Sequence, residues 1–388
     1  RRLLERVQLR AGHPPAGIGA GATREGPGPA GGARRATPDD CRIAVLPFQH
    51  DGPAEERYFT QGFADELNSE LARVPGIAVT ARTSSIQFGE PDLPLSRIGY
   101  ELGVTHVVRG SIRWDTAAVP PRIRIGAALV RIADGTHLWG RSYDVEVADG
   151  FEVQADMIAA ITAAVGLASR GAVPLAHART MTREREAREL FLKAFQHANQ
   201  RNEASLRTAA DLYQRALVLQ PGFARAYAGL AQVYAVFPGF SGAQPREWYL
   251  KARSAARKAL ELDPDLAEAH AALAFPLFHL WDMDGAEHHL DRCVELAPSY
   301  APAWVRRGYL FCATARPRDA HHAAERALAL DPLSVATNFD TGYQFWQLRD
   351  REAALRQFRR VQQLDPSFDP AHFFLGVHSY QRGDLDTA

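Results

Sequence analysis

The hexapeptide ALALDP, Ala327–Pro332, returns along this chain with its chemistry kept. ALVLQP ends at Pro221, ALELDP at Pro264, CVELAP at Pro298 and VQQLDP at Pro366. The last three intervals are 34 residues each; the first is 43, and its surplus fits a loop around Phe237–Pro245. A fixed period of this length, carried by helical apolar spacing, predicts stacked helical hairpins, none able to bury its apolar face alone. Each proline closes a hairpin because it cannot continue the preceding helix. Small residues recur in the second helix of each hairpin. Ala286, Ala320 and Ala354 take one position, and Cys293, Ala327 and Val361 the next. Close helix approach needs small side chains there, so Cys293 reads as a small buried hydrophobe. Pro276 falls inside a first helix and should kink it.

Upstream of the repeats the period changes. From Cys41 to about Ser169, strand and helix patterns mix. RIAVLPF and IAVTAR are β-prone runs; between them Phe59, Phe63, Leu67, Leu71 and Val74 share one helical face. Leu95–Gly103 reads as a second short helix. Thr105–Trp114 and Arg122–Val147 alternate with a period of two, with a hairpin turn signal at Asp134-Gly135. Phe151–Ser169 reads as a closing helix. The fold class expected is α/β, a mixed sheet with packed helices, followed by an all-α solenoid. Residues 1–40 end an upstream domain and continue as a Gly/Pro-rich linker; 41–170 form the α/β domain; 181–388 form the solenoid, whose last repeat is incomplete. The two parts should join near Ala172–Thr180 and behave as separate units.

Composition excludes several functions. The chain has 388 residues, 45 Lys+Arg and 45 Asp+Glu. With no net charge there is no overall basic field for nucleic acid or an anionic membrane, so direct nucleic-acid binding is not expected. No apolar run has the length of a membrane span. Three scattered cysteines fit neither a disulfide framework nor a zinc ribbon, and point to a reducing, cytoplasmic setting. Gly17-Ile18-Gly19-Ala20-Gly21 lacks the flanking strand and helix of a dinucleotide loop.

The repeats resemble tetratricopeptide repeats. Trp304-x2-Arg307-Gly308-x2-Phe311 and Tyr227-x2-Leu230-Ala231-x2-Tyr234 stand where that family has W-x2-L-G-x2-Y. The middle region resembles the TolB-like amino-terminal domain of bacterial regulators. IAVLPF, YFTQGFADEL, VTARTSSIQF, ELGVTHVVRGSIR, RIGAALVRIADGTHLWGRSYD and FEVQADMIAAI carry this likeness in the family's order. Val108-Arg109 departs from it, since the family prefers an apolar residue and an acid. The resemblance implies a scaffold or sensor that follows a winged-helix, activator or nucleotide cyclase domain.

The loop Gln49–Arg57 after IAVLPF has one glycine and the acids Asp51, Glu55 and Glu56. A phosphate site needs glycines and free helix amides instead. No catalytic motif is present, and neither an enzyme nor a cofactor is expected. Adjacent histidines, His288-His289 and His321-His322, point apart on a helix and cannot chelate one ion, so no metal is expected and they read as surface residues. First helices line the concave face of such solenoids. Phe275, Phe278, Tyr309, Phe339, Tyr343, Trp346, Phe373 and Tyr380 therefore form a candidate groove for a protein or peptide partner. Arg326 should lie on the outer face. Phe373, Phe374 and Leu375 should stay partly exposed at the unfinished end, favouring self-association. The leading function is a non-catalytic interaction scaffold of a bacterial signalling or transcription regulator. The alternatives are the regulatory part of a cyclase or kinase, and a cell-envelope assembly factor.

Overall fold

A computed structural model describes residues 41–90, 93–150, 153–166, 182–200 and 202–381. These all belong to one compact unit, Ala36–Ala388. The readings made for residues 1–40, for the break at 172–180 and for 382–388 lie outside the described residues.

The alternation of Arg122, Ile123, Arg124 and Ile125 becomes strand β5 (Arg122–Arg131), whose isoleucines are buried while its arginines face outward. It pairs antiparallel with β4 (His106–Asp115) and β6 (His137–Glu146). β1 (Arg42–Val45) runs parallel to both β4 and β3 (Ala78–Val79), giving the order β3-β1-β4-β5-β6. This is the mixed sheet that the sequence predicts. The turn at Gly135 uses a φ of 69°, open to glycine without strain. Helix α1 (Arg57–Leu71) buries Phe59, Phe63, Leu67 and Leu71 against one sheet face. The short α2 (Arg82–Ser85) and α3 (Leu95–Leu102) serve the other face, while α4 (Val153–Ala164) adds Met157 and Ile161 to the first. Gly110 of β4 is required by packing: a Cβ there would lie 2.4 Å from the Phe48 ring.

One local reading changes. Gln49–Asp51 is not loop but a short strand, β2, parallel to β4 with Asp51 opposite Arg113. Asp51 accepts from Arg113 Nε at 2.7 Å, which accounts for one acid of this acidic stretch. The partner lies 62 residues away, so no local pattern could announce it.

The hairpins begin with α5 (Thr182–Asn199) and α6 (Glu203–Leu219). They continue through α7 (Ala224–Val236), the short α8 (Pro238–Ser241) in the long first interval, and α9 (Pro245–Leu262). Then come α10 (Ala267–His279) and α11 (Met283–Leu296), α12 (Ala301–Ala313) and α13 (Pro317–Leu330), α14 (Val335–Gln347) and α15 (Arg351–Leu364). The last is α16 (Asp369–Gln381). Pro276 is accommodated inside α10, which ends three residues later. Ala286, Ala320, Ala354, Cys293, Ala327 and Val361 are all fully buried, as their small size required.

Two further devices repeat with the 34-residue period. Six residues after the last four closing prolines a side-chain N–H donates back to that proline's carbonyl: His270 to Pro264, Trp304 to Pro298, Asn338 to Pro332 and His372 to Pro366, at 2.8–3.0 Å. Three chemically different donors solve one problem, the orphan carbonyl of the turn. Between α10 and α11, α12 and α13, and α14 and α15, Trp281, Ala315 and Arg349 hold positive φ of 68°, 57° and 63°. The next amide then reaches five residues back, from Asp282 to Leu277, Arg316 to Phe311 and Asp350 to Phe345. This is a Schellman closure with non-glycine residues in its left-handed position, which costs about 1 kcal/mol each. Ala315→Gly is therefore expected to stabilise the protein by about 0.5 kcal/mol, after the glycine entropy loss, read as a higher urea midpoint. A lower midpoint would refute the strain.

The turn edge of the solenoid carries the sheet. Equivalent positions 265, 299 and 333 each engage the α/β layer. Arg73 donates to Asp265 O at 3.2 Å. Ser299 Oγ accepts from Val79 N at 3.1 Å and donates to Ile77 O at 3.2 Å, closing the free edge of β3. Leu333 N donates to Ser84 Oγ at 2.9 Å, and its carbonyl accepts from Gln87. Leu192 of α5 lies over Gly62 of α1, where a Cβ would approach it to 2.5 Å. The apolar cluster running from Ile43 to Phe237 is shared by both parts. The expectation of separately behaving units thus meets a common core, formed because the turn edge and α5 cover surfaces that the sheet cannot cover alone.

Candidate functional site

Phe275, Tyr309 and Tyr343 occupy the same place in α10, α12 and α14, one repeat apart, and each is half-buried. Arg306 and Asp340 stand three residues earlier in the last two of these helices. Arg306 lies over the Phe275 ring at 5.4 Å, and Tyr309 donates its hydroxyl to Asp340 Oδ1 at 2.8 Å. The Tyr309 and Tyr343 rings sit 6.3 Å apart. Burial, reinforced by the Asp340 carboxylate, pushes the Tyr309 phenol far up, so it stays a neutral donor. The three rings, with Arg306 and Asp340 beside them, form a ladder along successive first helices.

The other five candidates divide. Phe278 and Trp346 share a second repeat position, with Cys312 between them. Phe278 packs against the cluster around Leu277. Trp346 is sandwiched: Arg351 covers one face at 3.6 Å and Phe374 approaches at 5.2 Å. Phe339 is enclosed by Phe358, Phe368 and Phe374 at 5.2–6.1 Å. Phe373 and Tyr380 are 55% and 69% exposed. Sequence spacing put all eight on first helices, but their packing depends on what the next helix offers. Arg326 also differs from expectation, since it lies over the Trp304 ring at 5.6 Å.

The adjacent histidines are not all surface groups. His288 and His322 are exposed, yet His289 Nδ1 meets His270 Nδ1 at 2.9 Å. The Pro264 carbonyl can only accept, so His270 is protonated on Nε2 and His289 donates from Nδ1–H. His321 packs on Phe345 and lies 3.8 Å from Asp350. Burial first, then the positive neighbours His270, His288 and Arg257, pushes His289 down to about 4 from 6.5. Burial also lowers His270. For a depressed histidine, stability is full above the unfolded value and is lost as protons bind the unfolded chain preferentially. The protein is therefore expected to weaken between about pH 6.5 and 4, and His289→Gln should flatten that part of the profile in thermal melts across pH. An unchanged slope would count against the pair. Among the described residues, no group of three or more His, Cys, Asp and Glu side chains could hold a metal.

No family model matches the chain. It is 30% identical over 259 residues to a protein of Rhizobium meliloti named putative adenylate cyclase 3, covering 63% of this chain and 42% of that protein. The chain thus spans less than half of that relative. Among solved structures, a thermophilic tetratricopeptide-repeat protein of Thermus thermophilus aligns with a TM-score of 0.42 and 16% identity, over 48% of this chain and 95% of that one. The pilF protein of Pseudomonas aeruginosa aligns with a TM-score of 0.42 and 17% identity, over 54% and 89%. The repeated hairpin itself rests on the geometry described above. Among the described residues, no helix is long and apolar enough to cross a membrane.

Proposed function

We propose that the chain is a non-catalytic interaction module of a bacterial signalling or transcription regulator. Its division into a TolB-like α/β domain over 41–170 and a tetratricopeptide solenoid over 181–388 is part of that reading. The solenoid holds a protein segment against the ring ladder, and the α/β layer braces the turn edge. The observation that carries the reading is one half-buried ring at the same place in three successive first helices, Phe275, Tyr309 and Tyr343. Such rings bury large area at small rotamer cost and dominate interface energies. Phe278, Phe339 and Trp346 support the ladder from below, while Phe373 and Tyr380 extend it. Cys41, Cys293 and Cys312 are free thiols, with burial pushing Cys293 up to about 12, which suits a reducing cytoplasm.

Peptides selected by phage display on the wild-type protein test this. Losing one central anchor costs about 2 kcal/mol, or about thirtyfold in affinity. Tyr309→Ala and Tyr343→Ala should each weaken the selected peptides by that order, while Arg359→Ala on the exposed side of α15 should leave them unchanged. Folded ring variants that bind as well as wild type would refute the ladder. A second reading, the regulatory part of a nucleotide cyclase, draws support from the likeness to a protein named adenylate cyclase. On that reading too the chain itself performs no chemistry, and the partner segment belongs to a cyclase.

A further inference from the structure

The sheet face away from α1 and α4 is covered at one end by α3, Phe88 and Leu333 of the solenoid edge. Beside them lies a cleft of about 670 Å³. That volume suits a small organic ligand. Its floor crosses three strands in register, where Ser111 stands opposite Gly126, and Gly126 opposite Ser142. Ala128 and Gly140 continue it. Leu93 and Leu95 form a half-buried apolar wall.

The two glycines have no packing reason. A Cβ on Gly126 would sit 3.6 Å from Ser111 Oγ and 3.7 Å from Ser142 Oγ, and one on Gly140 would meet nothing closer than 3.8 Å. Neither has positive φ. Glycine in a strand interior weakens it and often marks a close approach by a ligand. Gly110, by contrast, is explained by the Phe48 ring against it. The arginines tell a matching story. Arg113 pairs with Asp51, Arg124 with Asp144 and Arg141 with Asp156. Arg109, exposed on the cleft side opposite Ala128, forms no ion pair within 4.0 Å among the described residues, although Glu90 also lines the cleft.

We propose that this cleft binds a small organic anion with a flat apolar body. Its anionic group meets the Arg109 guanidinium, and its flat body lies on Gly126, Ala128 and Gly140 against the leucine wall. A planar guanidinium takes a carboxylate or a phosphate through two N–H donors. The apolar wall excludes a bare inorganic anion as the preferred occupant. This site is independent of the ring ladder, which lies on the solenoid.

The probe is 8-anilinonaphthalene-1-sulfonate, a flat aromatic anion whose fluorescence rises on binding. Wild type should show a saturable site. Arg109→Gln should weaken it at least tenfold, and Gly126→Val should abolish it while melting at or above the wild-type temperature. Displacement arms separate the head groups: 2-naphthoate for a carboxylate, 2-naphthyl phosphate for a phosphoryl group. Displacement by either supports the site and names its anion, whereas displacement by neither overturns it. Binding unchanged in both variants also overturns it, as does a lowered melting temperature for Gly126→Val, which would return that glycine to a packing role.

Discussion

Asp331→Ala should cost about 3–4 kcal/mol, a large fraction of the stability of an ordinary domain. Asp331 is 5% exposed. Its Oδ1 accepts from Thr83 Oγ1 at 2.6 Å and from Ser84 Oγ at 2.7 Å, and its Oδ2 accepts from Thr337 Oγ1 at 2.8 Å. Hydrogen bonds to a charged group contribute about 1.5–3 kcal/mol each, but three bonds to one carboxylate are not additive, so the sum is not reached. The carboxylate ties α2 to the turn before α14, and the neighbouring Ala81 amide donates to Leu330 O at 2.7 Å. Loss should therefore appear in a particular place. Hydrogen exchange should quicken in residues 77–88 and 330–334 before it does in α10 or α12, and the urea midpoint should fall. Asp331→Asn keeps acceptor capacity on one oxygen and should cost roughly half as much. A cost under about 1 kcal/mol, with exchange unchanged at that junction, would show that the carboxylate does not hold the two parts together.

Glu66→Ala should come close to this, at about 3 kcal/mol. Glu66 is a buried carboxylate on α1, with Arg225 at 3.0 Å and Arg188 at 3.3 Å. Arg225 begins α7 and Arg188 lies on α5, so one acid joins the α/β layer to two helices of the first repeats. Removing it takes away the carboxylate that Arg225 and Arg188 share, and leaves Arg225 with Glu268 and, at 3.8 Å, Glu70 as its remaining acidic neighbours. A poorly compensated buried charge is the expensive outcome, whereas removing both signs is cheap. Hence Glu66→Leu combined with Arg225→Met should recover much of the loss, and the double-mutant cycle should give a coupling above about 1.5 kcal/mol. Additive losses would mean that the charges act separately.

The repeat architecture was legible in the sequence because its determinants are local. ALALDP and its relatives mark each turn by proline, Ala286, Ala320 and Ala354 mark close helix contact, and period-two alternation marks β5. Each of these follows from backbone geometry within a few residues of the side chain concerned. Even the donor six residues after the last four of these prolines was written there, although its chemistry varies too much to be seen without the turn.

The tertiary structure alone decided where the pieces meet. Nothing near Ser299 or Asp331 in the sequence says that a sheet edge and helix α2, each more than 200 residues away, require a hydroxyl and a carboxylate. Such partners are set by the superhelical path of the hairpins, which sums many small rotations and brings every thirty-fourth residue to one edge. The eight ring candidates show the same division. Their helical phase was readable from spacing. Phe339 and Tyr343 are both half-buried, and how far each is enclosed depended on Phe358, Phe368 and Phe374, which later segments bring alongside. The sheet-face cleft went unread for the same reason. Gly126, Gly140 and Arg109 lie on three different strands, and only their pairing register places them around one space.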